Sequence, residues 1–243
     1  MPVNNFTTIE SLYGTFIVNR HCAFQAEALI KTGQPHIQEE LSKVLAVVNS
    51  LPNDCVVLDA GANIGLLAIP IAQVVAAKHG RVYAYEAQRM MSYALAGATA
   101  LNDIANLFVV NQALGEKEET LRAPAPDYGK PQDFGLFSLV EQKEDYPETI
   151  QATTIDALQL PRLDFLKVDI EGMEIQLLKG GKNTIHAHSP WCWIEYWKVD
   201  INEIKEQFEG LDYQFYIMDQ LNMLCAPAAR LAGSGINIDA PLA

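Results

Sequence analysis

The chain has 243 residues, of which 49% are hydrophobic and 19% charged, and its formal net charge is −13. This length predicts one domain around one core, and the acidic excess, with no local basic patch, argues against nucleic-acid binding. The four cysteines show neither CxxC pairs nor ligand spacing with the histidines, which excludes a zinc finger and a disulfide framework and favours a reducing, cytoplasmic location.

Two helices are predicted near the N-terminus. Apolar residues recur at helical spacing between residues 23 and 50, and Gly33 and Pro35 interrupt the pattern. We therefore expect residues 1–52 to form a helical extension that acts as a lid on the domain.

A repeating strand–helix pattern runs through residues 53–227. Strands are predicted at residues 55–58, 81–86, 107–111, 163–169 and 191–196, with helices at 64–78, 88–102 and 173–187. Two final strands, residues 213–219 and 222–226, are separated only by Gln220 and Leu221, which permits a tight antiparallel hairpin. The pattern predicts an α/β fold with a doubly wound, mostly parallel seven-stranded sheet and an antiparallel last strand.

Residues 116–150 interrupt the pattern as an insert. The insert is rich in Pro, Gly, Asp and Glu yet contains Phe134 and Phe137, so we expect an ordered loop or hairpin that closes the substrate side. Residues 228–243 are predicted to be a loosely held C-terminal tail. The N-terminus lacks the features of a secretion signal, and polar residues and Pro70 divide the most apolar stretch, so neither secretion nor a membrane span is expected.

A cofactor crevice is predicted where the first buried strand ends. Gly61 and Gly65 permit a sharp turn, after which the N–H groups opening the next helix favour an anion. A carboxylate anion with Asp59 beside its ammonium group matches the methionine part of S-adenosylmethionine (SAM). About 20 residues further on, Glu86 ends the second strand, where a carboxylate accepts both ribose hydroxyls. The G-x-x-x-G spacing differs from the NAD fingerprint G-x-G-x-x-G, which favours SAM over NAD.

The predicted SAM contacts lie after three successive strands. They are Asp59, Gly61, Ala62, Asn63, Gly65, Glu86, Ala87 and Gln112.

Three segments resemble the FkbM family of SAM-dependent methyltransferases. They are residues 57–65 (VLDAGANIG), 83–86 (YAYE) and, most specifically, 166–174 (LKVDIEGME). The resemblance covers about residues 56–197 and implies a Rossmann-like class I methyltransferase. It also implies methyl transfer to oxygen, commonly a hydroxyl of a sugar, glycolipid or small natural product.

Asp169 and Glu171 are the predicted catalytic residues, with Asp169 the first candidate for general base because it follows the central strand. Glu174, one helical turn further, is expected to stabilise the helix N-terminus. Lys167 is expected to pair with one of these carboxylates. Asp169, Glu171 and Glu195 also offer the oxygen ligands that suit magnesium, but no metal is expected, since an acidic pocket already suits a sulfonium.

Two other classes of function stay open on sequence grounds. One is an NAD-dependent oxidoreductase on a related fold, and the other is a non-catalytic SAM-binding module. The expected partner of the enzyme is a small-molecule or glycan hydroxyl acceptor, and a homodimer is compatible with the sequence.

Overall fold

Strands and helices alternate along the chain in the computed structural model, which describes residues 4–236. Within these residues the strands are Phe6–Ser11 (β1), Gly14–Asn19 (β2), Val56–Ala60 (β3), Arg81–Tyr85 (β4), Leu107–Val110 (β5), Ala113–Leu114 (β6), Glu119–Ala123 (β7), Glu148–Thr153 (β8), Phe165–Val168 (β9), Trp191–Glu195 (β10), Tyr213–Ile217 (β11) and Asn222–Pro227 (β12). The α-helices are Ala23–Thr32 (α1), Gln38–Asn49 (α2), Ala68–Ala76 (α3), Arg89–Leu101 (α4), Glu174–Gly180 (α5), Lys182–His188 (α6), Ile201–Glu206 (α7) and Ala228–Ser234 (α8).

The central sheet has seven strands in the order β11-β12-β10-β9-β3-β4-β5. All neighbours pair in parallel except β12, which is antiparallel to both β10 and β11. Strands β3 and β9 are buried along their whole length, which explains their almost continuous apolar sequences. The predicted doubly wound sheet with its antiparallel strand is therefore confirmed.

Helices cover both faces of this sheet. Successive side chains of β3 point to opposite faces, so Val57 packs in the cluster formed by α1 to α4, whereas Leu58 packs in the cluster formed by α5 to α7. Both side chains are fully buried. The core is thus two apolar layers separated by the sheet.

Two helical predictions need correction, one at its start and one in its middle. Helix α3 begins at Ala68 rather than at residue 64, so Pro70 lies in its first turn, where no intrahelical partner for its missing N–H is required. The helix predicted over residues 173–187 is two helices, α5 and α6, which meet at Gly181. A Cβ at Gly181 would lie 3.0 Å from the Ile155 side chain, so this junction packs tightly.

The N-terminal extension is only partly helical. The two predicted helices are present as α1 and α2, but β1 and β2 form an antiparallel hairpin ahead of them. The Asn102 side chain, just after α4, accepts from the N–H of Thr15 and donates to its carbonyl, both at 2.8 Å. The hairpin is therefore anchored on the domain by a side chain far away in sequence.

The insert is ordered, and part of the C-terminal tail is helical. Within the insert β7 pairs with β8, and β8 also pairs with β6 to complete a three-stranded sheet. The predicted loose tail begins with helix α8, whose Arg230 forms an ion pair with Asp164, and residues 237–243 lie outside the described residues. Among residues 4–236 no helix has the length and apolarity that a membrane crossing requires.

Candidate active site

A cavity of about 460 Å³ opens at the carboxyl ends of the parallel strands. Successive strands contribute Asp59, Glu86, Gln112, Asp169 and Glu195 to its walls. Strands β4 and β5 extend from β3 in one direction and β9 and β10 in the other, so this is the switch point of the sheet. Ligands of doubly wound folds bind at such a position.

The turn after β3 brings two loops into close contact. Gly61 has φ +78°, and a Cβ there would lie 1.7 Å from the carbonyl oxygen of Asp169. Only glycine satisfies both the backbone conformation and the contact. Gly61 therefore sets the distance between the two loops that line the cavity.

The N–H groups of residues 61 to 65 in this turn donate to protein acceptors. Those of Gly61 and Ala62 donate to the Tyr85 carbonyl at 2.9 and 3.0 Å, and that of Asn63 donates to Glu86 Oε2 at 2.7 Å. Residues 64 and 65 likewise donate to protein acceptors. The turn itself is therefore a closed wall, and the predicted anion site lies at the following N–H groups, which open α3 and where Leu66 and Leu67 line the cavity.

Gly65 has a packing role. It has φ +90°, and a Cβ there would lie 2.3 Å from Leu95 Cδ1 on α4. The cavity lining contains seven of the eight predicted cofactor contacts, and Gly65 is the one outside it. Its direct contact with SAM is therefore not supported by the structure.

Asp59 presents an unusual carboxylate to the cavity. The residue is 0% exposed, and neither side-chain oxygen has a hydrogen-bond donor among the described residues. Lys167 Nζ lies 3.4 Å from Asp59 Oδ1 as an ion pair, while burial raises the pKa of Asp59 above its ordinary value. Buried carboxylates are normally hydrogen-bonded, so this one fits a cationic donor such as an ammonium group.

Glu86 is held in place by backbone groups. Its Oε1 accepts from the Gln88 N–H at 2.6 Å and its Oε2 from the Asn63 N–H at 2.7 Å. Each carboxylate oxygen has a further lone pair, which leaves capacity for two hydroxyl donors. Burial raises the pKa of Glu86 to about 7, although the two backbone donors oppose that rise. The geometry suits a pair of ribose hydroxyls.

Lys167 connects the cofactor side of the cavity to the catalytic side. Its ammonium group donates to the Gly61 carbonyl at 2.8 Å and lies 3.3 Å from Asp169 Oδ2 and 3.4 Å from Asp59 Oδ1. Burial by itself lowers the pKa of Lys167, but the carboxylates of Asp169, Asp59 and Glu40 outweigh it and raise the pKa. The lysine is therefore a permanent cation that fixes both carboxylates.

Three acids, Asp169, Glu171 and Glu195, form an acidic cluster beside this lysine. One carboxylate oxygen from each lies within 4.8 Å of the others. Glu171 forms an ion pair with Lys198, and Trp197 Nε1 donates to Glu195 Oε2 at 2.8 Å. Burial and the neighbouring carboxylates of Asp169 and Glu171 raise the pKa of Glu195 to about 9.

Glu174 has the structural role expected of it, through a different contact. Its Oε1 accepts from the N–H groups of Ile170 and Gly172, both at 3.1 Å. The side chain therefore braces the loop that carries Asp169 and Glu171, and Glu171 is held in that loop at φ +60°.

Several lining residues were outside the sequence-based set of site residues, among them Glu195 and Glu40. The sequence pattern points to Glu195 only as an alternative magnesium ligand and does not single out Glu40. A signal for Glu40 exists, because it shares the helix face of Val44, Val47 and Val48, all of them buried. An acid in an apolar stripe indicates a special environment. The predicted Phe134 and Phe137 both line the cavity.

The sheet is parallel except for one inserted antiparallel strand, and Asp59 and Glu86 form walls of its switch-point cavity. These features define a class I SAM-dependent methyltransferase. The family model described as "Methyltransferase FkbM domain" matches residues 59–219. The chain therefore belongs to the FkbM methyltransferase family, and SAM is its expected cofactor. The buried Asp59, which is paired with Lys167, and the braced Glu86 fit that cofactor's ammonium and ribose groups.

The chain is similar to several solved methyltransferase structures. Methyltransferase FkbM from Methylobacillus flagellatus KT is 21% identical with a TM-score of 0.54, over 78% of this chain and 51% of that one. The chain thus spans about half the length of that protein. A SAM-dependent methyltransferase from Aquifex aeolicus is 15% identical, with a TM-score of 0.47 and coverage of 76% and 87%.

An rRNA methylase from Streptococcus thermophilus is 11% identical, with a TM-score of 0.46 and coverage of 78% of this chain and 93% of that one. No curated protein matches the sequence of this chain.

Proposed function

We propose that this chain transfers the methyl group of SAM to a hydroxyl group of a small-molecule or glycan acceptor, with Asp169 as the general base. The observation that carries the proposal is the position of Asp169, which lines the cavity and is fixed by Lys167 at 3.3 Å. An alcohol must lose its proton as its oxygen bonds to the methyl carbon of SAM, so a carboxylate at this position can act as the base.

The residues around the cavity have different roles in the proposed methyl transfer. When bound, SAM supplies an electrophilic methyl group on a sulfonium, whose displacement leaves a neutral thioether. Asp169 accepts the hydroxyl proton, and Lys167 holds the carboxylate in orientation. Phe134 and Phe137 exclude water from the cavity, so that the acceptor oxygen is the nucleophile present.

Glu171 has a supporting role in this proposal. Its carboxylate forms an ion pair with Lys198, and its carbonyl accepts from Ser138 Oγ at 2.6 Å. Both partners hold the loop after β9 in place: Lys198 follows β10, and Ser138 belongs to the insert of residues 116–150. Glu171 therefore positions the loop rather than taking the proton.

The proposal of a small acceptor is supported by the charge of the chain, and the proposal of a cytoplasmic location is supported by its cysteines. The net charge of −13 and the acidic cluster repel a phosphate backbone. The four cysteines, all within the described residues, are buried and unpaired, as is common in a reducing compartment.

The test is a screen of sugars, glycolipids and natural-product alcohols with isotopically labelled SAM, repeated with Asp169→Asn. We expect methylation of a hydroxyl in at least one acceptor and a loss of kcat of about 100-fold to 10,000-fold in the variant. The matched control is Asp145→Asn, an exposed residue outside the cavity.

Two results would contradict the proposal in different ways. Full activity of Asp169→Asn on a proven acceptor would show that another group takes the proton. Tight SAM binding without transfer to any hydroxyl would favour a non-catalytic SAM-binding module or a different class of acceptor.

A further inference from the structure

The N-terminal extension forms one wall of the cavity. Phe24, His36 and Glu40 line it, and the rings of Phe24 and His36 pack with their centroids 4.3 Å apart. All three residues precede residue 59, where the match to the family model begins. This wall is therefore a part of the site that the family model does not describe.

Glu40 is held in this wall by a buried tryptophan. Trp193 on β10 is 0% exposed, and its Nε1 donates to Glu40 Oε1 at 3.0 Å. Trp193 pairs in register with Lys167, and Lys167 with Asp59, so the three side chains form a row across neighbouring strands. Glu40 of α2 covers the Trp193 end of that row.

One oxygen of Glu40 is left without a protein donor. Oε1 is engaged by Trp193, and across residues 4–236 no hydrogen bond reaches Oε2. Burial raises the pKa of Glu40 to about 7, and the Lys167 ammonium opposes that rise. A fixed carboxylate oxygen in a cavity wall is an acceptor for a ligand donor.

We propose that Glu40 is a specificity residue of the acceptor pocket, and that it accepts a hydrogen bond from a second hydroxyl or amino group next to the hydroxyl that is methylated. The acceptor is accordingly a vicinal diol or an amino alcohol. This inference rests on the proposed hydroxyl transfer, in which Asp169 takes the reacting hydroxyl. Glu40 and Asp169 line the same cavity and both carboxylates act on the charge of Lys167, so the proposal places the two neighbouring donors of one acceptor between them.

The test compares acceptors as well as variants. Wild type, Glu40→Gln and Glu39→Gln are assayed on an acceptor from the hydroxyl screen, on its analogue lacking the neighbouring hydroxyl, and on its amino analogue. The amide in Glu40→Gln keeps an oxygen for Trp193 and preserves the length of the side chain. Glu39 is the matched control, because its side chain is 87% exposed and pairs only with Lys43 on the surface.

We expect the diol to exceed its deoxy analogue in kcat/KM by about 10-fold to 100-fold in wild type, as for a hydrogen bond to a charged group. In Glu40→Gln this ratio falls towards one, mainly through KM, while the Kd of SAM stays within about twofold of wild type. Glu39→Gln keeps the wild-type ratio. A merely structural role of Glu40 would lower activity on both acceptors equally.

The outcomes separate the two proposals. If wild type methylates a hydroxyl but Glu40→Gln retains the diol preference, or loses both activities in parallel, the assignment of Glu40 is overturned and the proposed function stands. If wild type methylates no hydroxyl acceptor, the proposed function fails, and the role of Glu40 falls with it. A higher rate on the amino analogue that disappears in Glu40→Gln supports the same contact with an ammonium donor.

Discussion

Substitution of Gly61 by alanine tests how closely the two cavity loops approach. The new Cβ would lie 1.7 Å from the Asp169 carbonyl oxygen, whereas carbon and oxygen normally stay at least about 3.3 Å apart, so one loop must move by about 1.6 Å. The backbone at φ +78° adds a strain of about 1 to 2 kcal/mol. We expect the total loss in the free energy of unfolding to exceed about 4 kcal/mol.

Gly210→Ala is the matched control for this prediction. Gly210 has nearly the same backbone, φ +79°, but nothing lies within 4 Å of a Cβ built there. Urea denaturation of both variants separates backbone strain, which they share, from the contact, which only Gly61 makes. Equal losses of stability in the two variants would refute the proposed loop contact, as would wild-type SAM affinity in Gly61→Ala.

Three further predictions concern charge. The pKa of Glu195 is raised to about 9, so its contribution to stability is complete below pH 4.5 and is lost as the pH rises through 9. Glu195→Gln should therefore flatten the fall in the free energy of unfolding between pH 5 and 9. An unchanged slope in urea titrations would contradict this prediction. Buried Asp164 forms ion pairs with Arg162 and Arg230. Asp164→Ala should therefore lower the free energy of unfolding by about 3 kcal/mol in the same assay, because it leaves both arginines without their partner. A loss below about 1 kcal/mol would contradict this prediction. Two members of the acidic cluster already pair with lysines, so initial rates of methyl transfer should be unchanged by EDTA; a large loss restored by Mg²⁺ would contradict this.

The sheet was predictable because buried strands have a sequence pattern of their own. Strands β3 and β9 are covered on both faces, so their residues form short apolar runs that end at Asp59 and Asp169. Strand–helix spacing then fixes the parallel order, and the short gap before Asn222, four residues in the structure, leaves room only for an antiparallel neighbour. The carboxyl ends of the strands, and therefore the acids of the cavity, follow from that order.

Features that depend on distant contacts were not predictable from local patterns. The β1–β2 hairpin is anchored by Asn102, which is far away in sequence, and the split of the predicted helix at Gly181 depends on packing against Ile155. The local pattern likewise does not reveal that the N–H groups of Gly61, Ala62 and Asn63 donate to the Tyr85 carbonyl and the Glu86 carboxylate. Glu40 enters the site only because α2 packs over Trp193.

Isothermal titration of the purified protein with SAM tests the central claim most directly, with Glu86→Gln beside the exposed control Glu118→Gln. We predict saturable one-to-one binding by wild type and by Glu118→Gln, and a loss of affinity of about 10-fold or more in Glu86→Gln. Two backbone N–H groups already donate to that carboxylate, and our account requires its remaining lone pairs to accept the two ribose hydroxyls. No binding of SAM by wild type, or equal affinity in all three proteins, would contradict the account.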